Sequence, residues 1–337
     1  MKKKIYITNL PSFYKINLLN AVNKHLDLEV IFTEEQSSIR NADFFKGVRE
    51  FKYYSFESTS LFKKIIKVKG LINKQAFDEI ILCGWDQILF WVIAFTSPKY
   101  KNAVVIESSI YESQTKGIKG IIKRIFLSRI NKAYCSGKAQ VAILKELNFK
   151  GTIVVTKGVG VFNVVTQPAF KIEERKVEDF VYVGRFSEEK NLLFLIHFFN
   201  KNPRFKLHLI GFGPLEEDMK REAASNVIFH GVVANENLSA LLQQFHVLIL
   251  PSKSEPWGLV VEEALNNGLP VIVSNRVGCL DEVVTSDVGL SFNFDDVNDL
   301  SLAIEKITNL NYYNNLRNNI SKLDFESITY EQVKSYL

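Results

Sequence analysis

Short apolar runs alternate with longer stretches of helical periodicity along the whole chain. The runs have the length of buried strands, and in the segments between them apolar residues recur every three or four positions. This alternation is typical of parallel sheets whose strands are joined by helices. The first half therefore predicts strands at about 4–8, 28–32, 78–83, 103–107, 132–135 and 152–155.

The same alternation is repeated in the second half, which predicts a second α/β domain. Its strands are expected at about 179–183, 206–210, 227–230, 247–250, 271–273 and 289–292. The clearest helical patterns of the two halves lie at 14–25, 140–147, 192–199, 216–224 and 259–266.

The boundary between the halves is expected near residues 158–178. Glycines at 158 and 160, a proline at 168 and the charged stretch 171–179 have the composition of a linker. A chain of 337 residues can bury two separate cores. We therefore expect domains at 1–165 and 166–324, followed by a C-terminal helix at about 325–337.

Targeting and redox features favour a cytoplasmic protein. The basic start Met1–Lys4 is followed by three apolar residues and then polar ones, so no signal-peptide core forms. The longest apolar run, 88–95, is too short to span a bilayer. Cys83, Cys135 and Cys279 lie far apart, without metal-ligand spacing or an even number for disulfides.

Charge is distributed unevenly between the halves. Residues 1–170 carry 26 Lys and Arg against 13 Asp and Glu, whereas the remainder carries 16 against 24. The first half is therefore expected to face something anionic, such as a membrane surface, a phosphate-bearing acceptor or nucleic acid. Basic residues that merely solvate helices are the alternative. Nucleic acid is not favoured, because aromatic residues do not interleave with the basic ones as a base-stacking platform requires.

Two glutamates in the second half have informative surroundings. Glu255 follows the apolar run 247–250, where a strand of a parallel sheet would present a ligand. Glu263 follows Glu255 by about two turns, on the helix that Gly258 and Leu259 begin. Two carboxylates that only accept hydrogen bonds suit a ligand rich in hydroxyl groups. Solvated helix glutamates are the alternative.

A cationic turn follows the strand at 179–183. Gly184 allows a tight exit, and Arg185 and Lys190 then stand where the strand end meets a helix start. A helix dipole, a planar guanidinium and a point charge together form a suitable diphosphate site. Gly211 and Gly213 mark a similar strand-to-helix turn, where the backbone could approach a ligand or a helix closely.

This combination of segments resembles the retaining glycosyltransferases of family 4, which have the GT-B fold and an E-x7-E segment. The resemblance implies two Rossmann-like domains whose parallel sheets face each other across a cleft, with the last helix returning to the N-terminal domain. It implies that Glu255 meets the donor sugar and Glu263 the nucleotide ribose, while Arg185 and Lys190 hold the diphosphate. The stretch His230-Gly231 resembles the one whose backbone meets the nucleotide base.

The sequence departs from the family pattern at several loops. Pro256 and Trp257 precede Gly258 where Gly-Phe-Gly is common, and Cys279 and Asp281 stand in a loop that is often richer in glycine. The loop after the first strand contains Pro11 instead of paired glycines. A proline has no amide hydrogen, so this loop is expected to shape an acceptor pocket rather than a phosphate cradle.

Candidate acceptor-side residues lie at strand ends of the first half. Glu107 ends the apolar run 104–106 and could accept a proton or a hydrogen bond from an acceptor hydroxyl. Asn9 and Lys15 are further candidates on the loop after the first strand. A capping or solvated glutamate is the alternative reading of Glu107.

A basic and apolar helix is predicted at 116–127. Ile118, Ile121, Ile122 and Ile125 fall on one stripe, with lysines and an arginine largely away from it. This pattern is typical of a helix lying on a membrane surface, and equally of a surface helix packed on a sheet.

The sequence thus predicts a retaining hexosyltransferase that moves a sugar from a nucleotide sugar to a hydroxyl of a glycan or lipid-linked acceptor. UDP is the first choice of nucleotide, with GDP or dTDP as alternatives, and cell-surface polysaccharide such as lipopolysaccharide or capsule is the expected product. No cofactor and no metal are expected. Peripheral contact with the inner face of the membrane is expected. The rival hypotheses are a GT-B sugar-nucleotide epimerase or hydrolase, and a noncatalytic subunit that binds donor or glycan.

Overall fold

The computed structural model describes residues 2–36, 42–57 and 59–337, and the chain divides into two compact units. Unit 1 comprises Met1–Phe162 with Ser327–Leu337, and unit 2 comprises Asn163–Glu326. Both units are α/β structures built on parallel sheets, which confirms the predicted fold class of two Rossmann-like domains.

Within the described residues, the sheet of unit 1 has seven parallel strands in the order β3-β2-β1-β4-β5-β6-β7. The strands are β1 (Lys3–Thr8), β2 (Asp27–Phe32), β3 (Lys52–Ser55), β4 (Glu79–Leu82), β5 (Asn102–Ile106), β6 (Lys132–Cys135) and β7 (Thr152–Val155). The helices are α1 (Phe13–Asn23), α2 (Leu61–Lys74), α3 (Ile88–Thr96), α4 (Gly117–Leu127) and α5 (Lys138–Glu146).

Among the described residues, unit 2 has a six-stranded parallel sheet in the order β10-β9-β8-β11-β12-β13. The strands are β8 (Asp179–Val183), β9 (Lys206–Ile210), β10 (Val227–Gly231), β11 (Val247–Leu250), β12 (Val271–Ser274) and β13 (Gly289–Phe292). The helices are α6 (Leu192–Asn200), α7 (Glu216–Glu222), α8 (Asn235–Leu242), α9 (Leu259–Asn266), α10 (Leu280–Val283), α11 (Val297–Ile307) and α12 (Leu310–Ile320).

The apolar runs that predicted strands form the cores of the two sheets. All four side chains of β11 and of β12 are buried, because helices cover both faces of a parallel sheet. The predicted strands agree with the observed ones to within about two residues. The exception is β3, an edge strand whose sequence Lys-Tyr-Tyr-Ser has no apolar run and is largely exposed. Pairing with β2 rather than burial fixes it, so periodicity did not reveal it.

The last helix, α13 (Phe325–Ser335), leads into the core of unit 1. The ring of Tyr336 stacks on Tyr134 with centroids 4.6 Å apart and meets Tyr6 edge-on at 6.4 Å. Lys4 donates a hydrogen bond from Nζ to the carbonyl of Tyr336, at 2.5 Å. The end of the chain therefore completes one face of the first sheet.

Among the residues that the structure describes, each helix is too short or too polar to cross a membrane.

Candidate functional site

The candidate site of unit 2 lies where its strand order reverses. Strands β8 and β11 are neighbours, but the chain leaves β8 toward one edge of the sheet and β11 toward the other. Their carboxyl ends form a topological switch point, the place where open α/β sheets bind ligands. The loops that follow, 184–191 and 251–258, carry five of the predicted site residues: Gly184, Arg185, Lys190, Glu255 and Gly258.

An ion pair joins these two loops. Lys190 Nζ lies 2.6 Å from Glu255 Oε2, and the side chains are only 14% and 15% exposed. The residues are 65 positions apart, so the contact exists only because the two strands are adjacent. The structure therefore brings together the predicted phosphate lysine and the predicted sugar-facing glutamate.

Arg185 is held by its own loop. Its Nη2 lies 2.6 Å from Glu189 Oε1, and its Nε donates to the hydroxyl of Ser187 at 3.2 Å. Ser187 also donates to the same carboxylate oxygen, at 2.7 Å. Burial alone would raise the pKa of Glu189, but hydrogen bonds from Ser187 and Arg185 lower it to about 2. Glu189 is therefore ionised throughout the neutral range.

Each predicted phosphate cation thus already has a carboxylate partner. Arg185 is paired with Glu189, and Lys190 is paired with Glu255. The four formal charges cancel, so the site is not a bare cationic patch. A diphosphate that binds here must therefore either share each cation with its carboxylate or displace that carboxylate.

The glycines of the two neighbouring turns pack backbone against backbone. Gly211 follows β9 with φ of +139°, and a Cβ at this position would lie 1.9 Å from the carbonyl oxygen of Gly184. A Cβ on Gly213 would lie 2.3 Å from the carbonyl oxygen of Phe186. These glycines therefore allow the turn after β9 to pack closely against the turn that carries Arg185. Their contact with a ligand stays a prediction.

The loop that carries Glu255 is braced from two sides. Its backbone pairs with the loop after β12, because Glu255 N donates to Arg276 O at 3.1 Å and Gly278 N donates to Glu255 O at 2.9 Å. Trp257 is 2% exposed and donates from Nε1 to Glu262 Oε2 at 2.7 Å. The position of the Glu255 carboxylate thus depends on contacts on α9 and on the β12 loop.

Glu262, which accepts the hydrogen bond from Trp257, is itself buried. It is 2% exposed, and its second oxygen, Oε1, has no hydrogen-bond partner among the described residues. Burial raises the pKa of Glu262 to about 8. This carboxyl is therefore largely protonated at neutral pH.

The start of α9 is the second element of the site. Gly258 precedes the helix with φ of +96°, a conformation that favours glycine. Leu259 opens the first turn; Val261 N donates to Gly258 O at 2.9 Å, while the amides of Leu259 and Val260 have no acceptor within the helix. This end of α9 can therefore receive an anionic or hydroxyl-bearing ligand.

Glu263 lines a small cavity of about 110 Å³ with residues of α8, among them Asn235 and Ser239. Its carboxylate has no hydrogen-bond or ion-pair partner among the described residues, and burial raises the pKa of Glu263 to about 7. A half-buried carboxylate without a partner is ready to accept hydrogen bonds from a ligand hydroxyl.

His230 stands exposed at the end of β10, beside Gly231. Its Nε2 lies 3.0 Å from Nδ1 of the buried His208, and burial lowers the pKa of both rings. The neutral imidazole of His230 therefore occupies the edge of the sheet near neutral pH.

Glu107 belongs to unit 1 and not to this constellation. It follows β5 and pairs with Lys15, whose Nζ lies 3.0 Å from Glu107 Oε1. Burial disfavours the charge on Lys15, which is 5% exposed, but the carboxylate of Glu107 more than offsets this and the pKa of Lys15 is raised. The two residues form a salt bridge at the carboxyl edge of the first sheet, in which Lys15 is buried and the Glu107 side chain is 31% exposed.

Neither Glu189 nor Glu262 was predicted from the sequence as a functional residue. Glu189 is four positions from Arg185, a spacing at which opposite charges pair readily in helical turns. Glu262 falls among the buried positions Val261, Ala264 and Leu265, so the helical period marked it as core-facing. Both signals were available in the sequence.

In the described parts of the chain, no cluster of three or more His, Cys, Asp or Glu side chains is arranged to hold a metal ion.

Comparison with known protein families identifies the second unit. Residues 166–323 match the family model described as glycosyl transferases group 1. This span is just under half of the chain and contains Arg185, Lys190, Glu255 and Glu263. Unit 2 is therefore a group 1 glycosyl transferase domain.

Similarity to a curated protein is confined to a segment. The sulfoquinovosyl transferase SQD2 of Arabidopsis thaliana is 35% identical over 124 residues, which cover 35% of this chain and 24% of that protein. The match therefore spans about a quarter of that relative's length.

Similarity to solved structures extends over the whole chain. Sucrose-phosphate synthase from Thermosynechococcus elongatus has a TM-score of 0.76 at 18% identity, covering 100% of this chain and 98% of that one. Anabaena HepE in complex with UDP and glucose has a TM-score of 0.73 at 14% identity, covering 100% and 99%. At these identities the comparison shows a shared fold.

The buried Glu262 predicts a pH-dependent stability. Its folded-state pKa of about 8 lies above the unfolded value, so the unfolded chain releases this proton at lower pH and wild-type stability falls as pH rises from about 5 to about 8. Glu262→Gln keeps an acceptor for Trp257 but does not titrate. Its stability relative to wild type should therefore increase by up to about 1.4 kcal/mol per pH unit in this window.

Urea denaturation across that pH range measures the difference. Glu305→Gln removes an exposed glutamate of α11 and should show no such trend. A Glu262→Gln effect that does not change with pH would mean that Glu262 is ionised in the folded protein at neutral pH.

Proposed function

We propose, from the group 1 glycosyl transferase domain at residues 166–323, that this chain is a retaining glycosyltransferase. It transfers a hexosyl group from a nucleotide sugar to a hydroxyl of a glycan or lipid-linked acceptor, in the synthesis of a cell-surface polysaccharide. The observation that carries the proposal is the Lys190–Glu255 contact at the switch point of unit 2. The contact supports the proposal because it holds a cation beside a hydrogen-bond acceptor, and a sugar diphosphate needs both kinds of group.

Donor binding exchanges the partners of these charges. The diphosphate takes Lys190 from Glu255, and the freed Glu255 carboxylate accepts hydrogen bonds from the sugar hydroxyls beside it. Arg185 contributes the outer edge of its guanidinium while Glu189 and Ser187 hold its inner edge. The two ion pairs leave the site without net formal charge. Donor recognition therefore depends on this exchange of partners rather than on long-range electrostatic attraction.

The nucleoside lies along the start of α9 in this proposal. Glu263 accepts hydrogen bonds from the ribose, and Gly184, Gly258 and Leu259 present backbone to the diphosphate. The turn at Gly211 and Gly213 supports the phosphate loop, and backbone atoms of His230 and Gly231 meet the base. UDP is the first nucleotide to test, a choice supported by the presence of UDP and glucose in the structure of the similar Anabaena protein.

The reaction breaks the bond between the anomeric carbon and the phosphate oxygen. The acceptor oxygen forms the new bond on the same face of the sugar, and its proton leaves with the nucleoside diphosphate. Lys190 and Arg185 stabilise the negative charge that develops on the departing diphosphate. Unit 1 supplies the acceptor site, with Glu107 as a hydrogen-bond acceptor for the reacting hydroxyl, and no metal or other cofactor is needed.

The exposed face of α4 supports contact with an anionic membrane. Ile118, Ile121, Ile122 and Ile125 are between 46% and 77% exposed, so the stripe does not pack on the sheet. Lys116 directly precedes this helix, and Lys119, Lys123 and Arg124 lie within it. Basic residues attract anionic headgroups and exposed isoleucines insert among acyl chains, so we propose that α4 lies on the inner leaflet.

Transfer activity and its dependence on Lys190 test the proposal. One donor from a panel of UDP-, GDP- and dTDP-sugars should raise the melting temperature of the protein. NMR of the glycosylated acceptor should show a retained anomeric configuration. Lys190→Ala should reduce transfer about 10²-fold, because one cation beside the departing diphosphate is lost. The rate should not change when EDTA is added.

Lys201→Ala is the matched control, because Lys201 is an exposed lysine at the far end of α6. It should retain activity within about twofold. Normal turnover by Lys190→Ala, or a product of inverted configuration, would refute the assignment.

The raised pKa of Glu263 predicts pH-dependent nucleotide binding. The ionised carboxylate is the form that accepts ribose hydrogen bonds, and in the free protein it predominates only above pH of about 7. The UDP affinity of wild type divided by that of Glu263→Gln, measured by calorimetry, should therefore increase with pH. Below pH of about 7 the increase should be up to about tenfold per pH unit. Taking the ratio cancels the titration of the UDP phosphates. An equal pH dependence of the two proteins would remove Glu263 from the ribose site.

The membrane contact is tested by sedimentation with vesicles. Wild-type protein should bind vesicles that contain phosphatidylglycerol at low salt and be released at high salt. Replacing Lys116 and Lys119 with Ser should weaken binding about 30-fold, at about 1 kcal/mol per basic residue. Replacing Ile118 and Ile122 with Ser should weaken it at least about tenfold.

A matched double variant replaces Val297 and Leu302, which are exposed on α11 of unit 2 by 48% and 64%, with Ser. It should bind the vesicles like wild type. Wild-type protein that stays in the supernatant with anionic vesicles at low salt would exclude the contact.

A further inference from the structure

A cavity of about 300 Å³ lies in unit 2, away from the candidate site. Its walls include Phe245, which precedes β11, and Leu269, which precedes β12. These residues stand at the amino ends of the strands, whereas Lys190 and Glu255 follow the carboxyl ends of β8 and β11. The cavity is therefore a separate site at the opposite edge of the same sheet.

The cavity has the dimensions and the walls of a site for one small molecule. Such sites typically have volumes of about 300–1,000 Å³ and combine aromatic walls with a few polar groups. Phe245 and Tyr313 supply the aromatic walls here, and Gln243 supplies an amide. The amide nitrogen of Gln243 donates to Asn267 Oδ1 at 3.0 Å, and its oxygen has no hydrogen-bond partner among the described residues.

Two cations of the lining keep their charge. Lys171 and Arg317 form no ion pair within the described part of the chain. Arg317 Nη1 donates to the backbone carbonyl of Lys171 at 3.0 Å, which is an uncharged acceptor. The Cζ of Arg317 also lies 5.7 Å from the centroid of the Tyr313 ring. These contacts position the guanidinium on the wall without cancelling its charge.

The other two charged residues of the lining neutralise each other. Arg175 donates from Nε and Nη2 to the two carboxylate oxygens of Glu173, each at 3.0 Å. The hydrogen bonds from Arg175 lower the pKa of Glu173 to about 2, so this carboxylate is ionised at neutral pH. With three cations and one anion, the lining carries a net charge of +2.

A phosphate monoester matches these groups. It carries nearly two negative charges at neutral pH and has three strong acceptor oxygens. Arginine binds phosphate through a planar fork, and lysine binds it as a point charge. A carboxylate would match only one of the two unpaired cations. The open amide oxygen of Gln243 accepts a hydrogen bond, so it suits a hydroxyl group on the body of the same ligand.

We propose that this cavity binds a small phosphate monoester that also carries hydroxyl groups, such as a sugar phosphate. Lys171 and Arg317 hold the phosphate, and Gln243 accepts a hydrogen bond from a hydroxyl group. The inference goes beyond the proposed glycosyl transfer and does not depend on it, because these three residues lie outside the donor site.

Calorimetry with the full-length protein tests the inference without any transfer reaction. The ligands are glucose 6-phosphate, glucose 1-phosphate, mannose 6-phosphate and glycerol 3-phosphate, compared with glucose, methyl glucuronide and inorganic phosphate at constant ionic strength. At least one monoester should bind about tenfold or more tightly than glucose and methyl glucuronide, because only the phosphate meets both cations. Inorganic phosphate should bind more weakly than that monoester, because it has no hydroxyl-bearing body.

Two substitutions locate the bound monoester. Lys171→Gln and Arg317→Gln should each weaken its binding about fivefold or more, because each removes one cation from the phosphate. Lys176→Gln is the matched control, at an exposed lysine that also precedes β8 but does not line the cavity. It should bind the monoester within about twofold of wild type.

Glu173→Gln gives the sharpest outcome, because it should strengthen binding. The substitution leaves Arg175 without its carboxylate partner and raises the net positive charge of the lining. Affinity for the monoester should therefore increase about threefold. A damaged fold would not produce such an increase.

Lys190→Ala separates this cavity from the candidate site, whose cations are the alternative place for a phosphate ester. The monoester should bind this variant within about twofold of wild type, since the cavity lies at the other edge of the sheet. Failure of all four monoesters to bind would overturn the inference. So would a monoester that Lys190→Ala no longer binds, or equal affinities of wild type and Arg317→Gln. Absence of transfer or of UDP binding would refute only the proposed function.

Discussion

The ion pair between Lys190 and Glu255 is the contact on which the candidate site depends. It links loops that follow neighbouring strands and fixes the two side chains that a sugar diphosphate would touch. A largely buried ion pair contributes little net stability, because desolvation offsets most of the attraction. Its importance here is geometric, since each partner holds the other at the place where it is needed. Pairing Arg185 with Glu189 does the same within one loop.

The loop that carries Glu255 has no regular structure, so its shape must come from its neighbours. A short parallel pairing with the β12 loop holds its backbone, and the bond from Trp257 to Glu262 holds its centre. Gly278 permits the first contact, because a Cβ there would lie 1.8 Å from the carbonyl oxygen of Pro256. The second contact uses a carboxyl that is neutral when buried. The site therefore contains two adjacent glutamates with different tasks, one structural and one open to a cavity.

Sequence patterns revealed the fold and the outline of the site for a physical reason. Buried parallel strands are continuous apolar runs, and parallel strands place their following loops at one edge, so Arg185, Lys190 and Glu255 could be grouped without coordinates. The partners of these residues could not be predicted in the same way. The 65-residue separation of Lys190 and Glu255 becomes a contact only through the strand order, which periodicity does not contain. Edge strand β3 was not predicted for a related reason. Its side chains are largely exposed, so its pairing with β2 is not accompanied by an apolar run in the sequence.

The positive charge of the first half can now be placed on a surface. Lys15, at the carboxyl edge of the first sheet, is paired with Glu107, whereas other basic residues lie in or next to helix α4, which also exposes isoleucines. Lys123 connects α4 to neighbouring segments. Its Nζ lies 5.1 Å from the Trp85 ring and donates hydrogen bonds to the hydroxyl of Ser113 and to the carbonyl of Gln114. Helix α4 is thus tied to the loop after β4 and to the segment that precedes the helix.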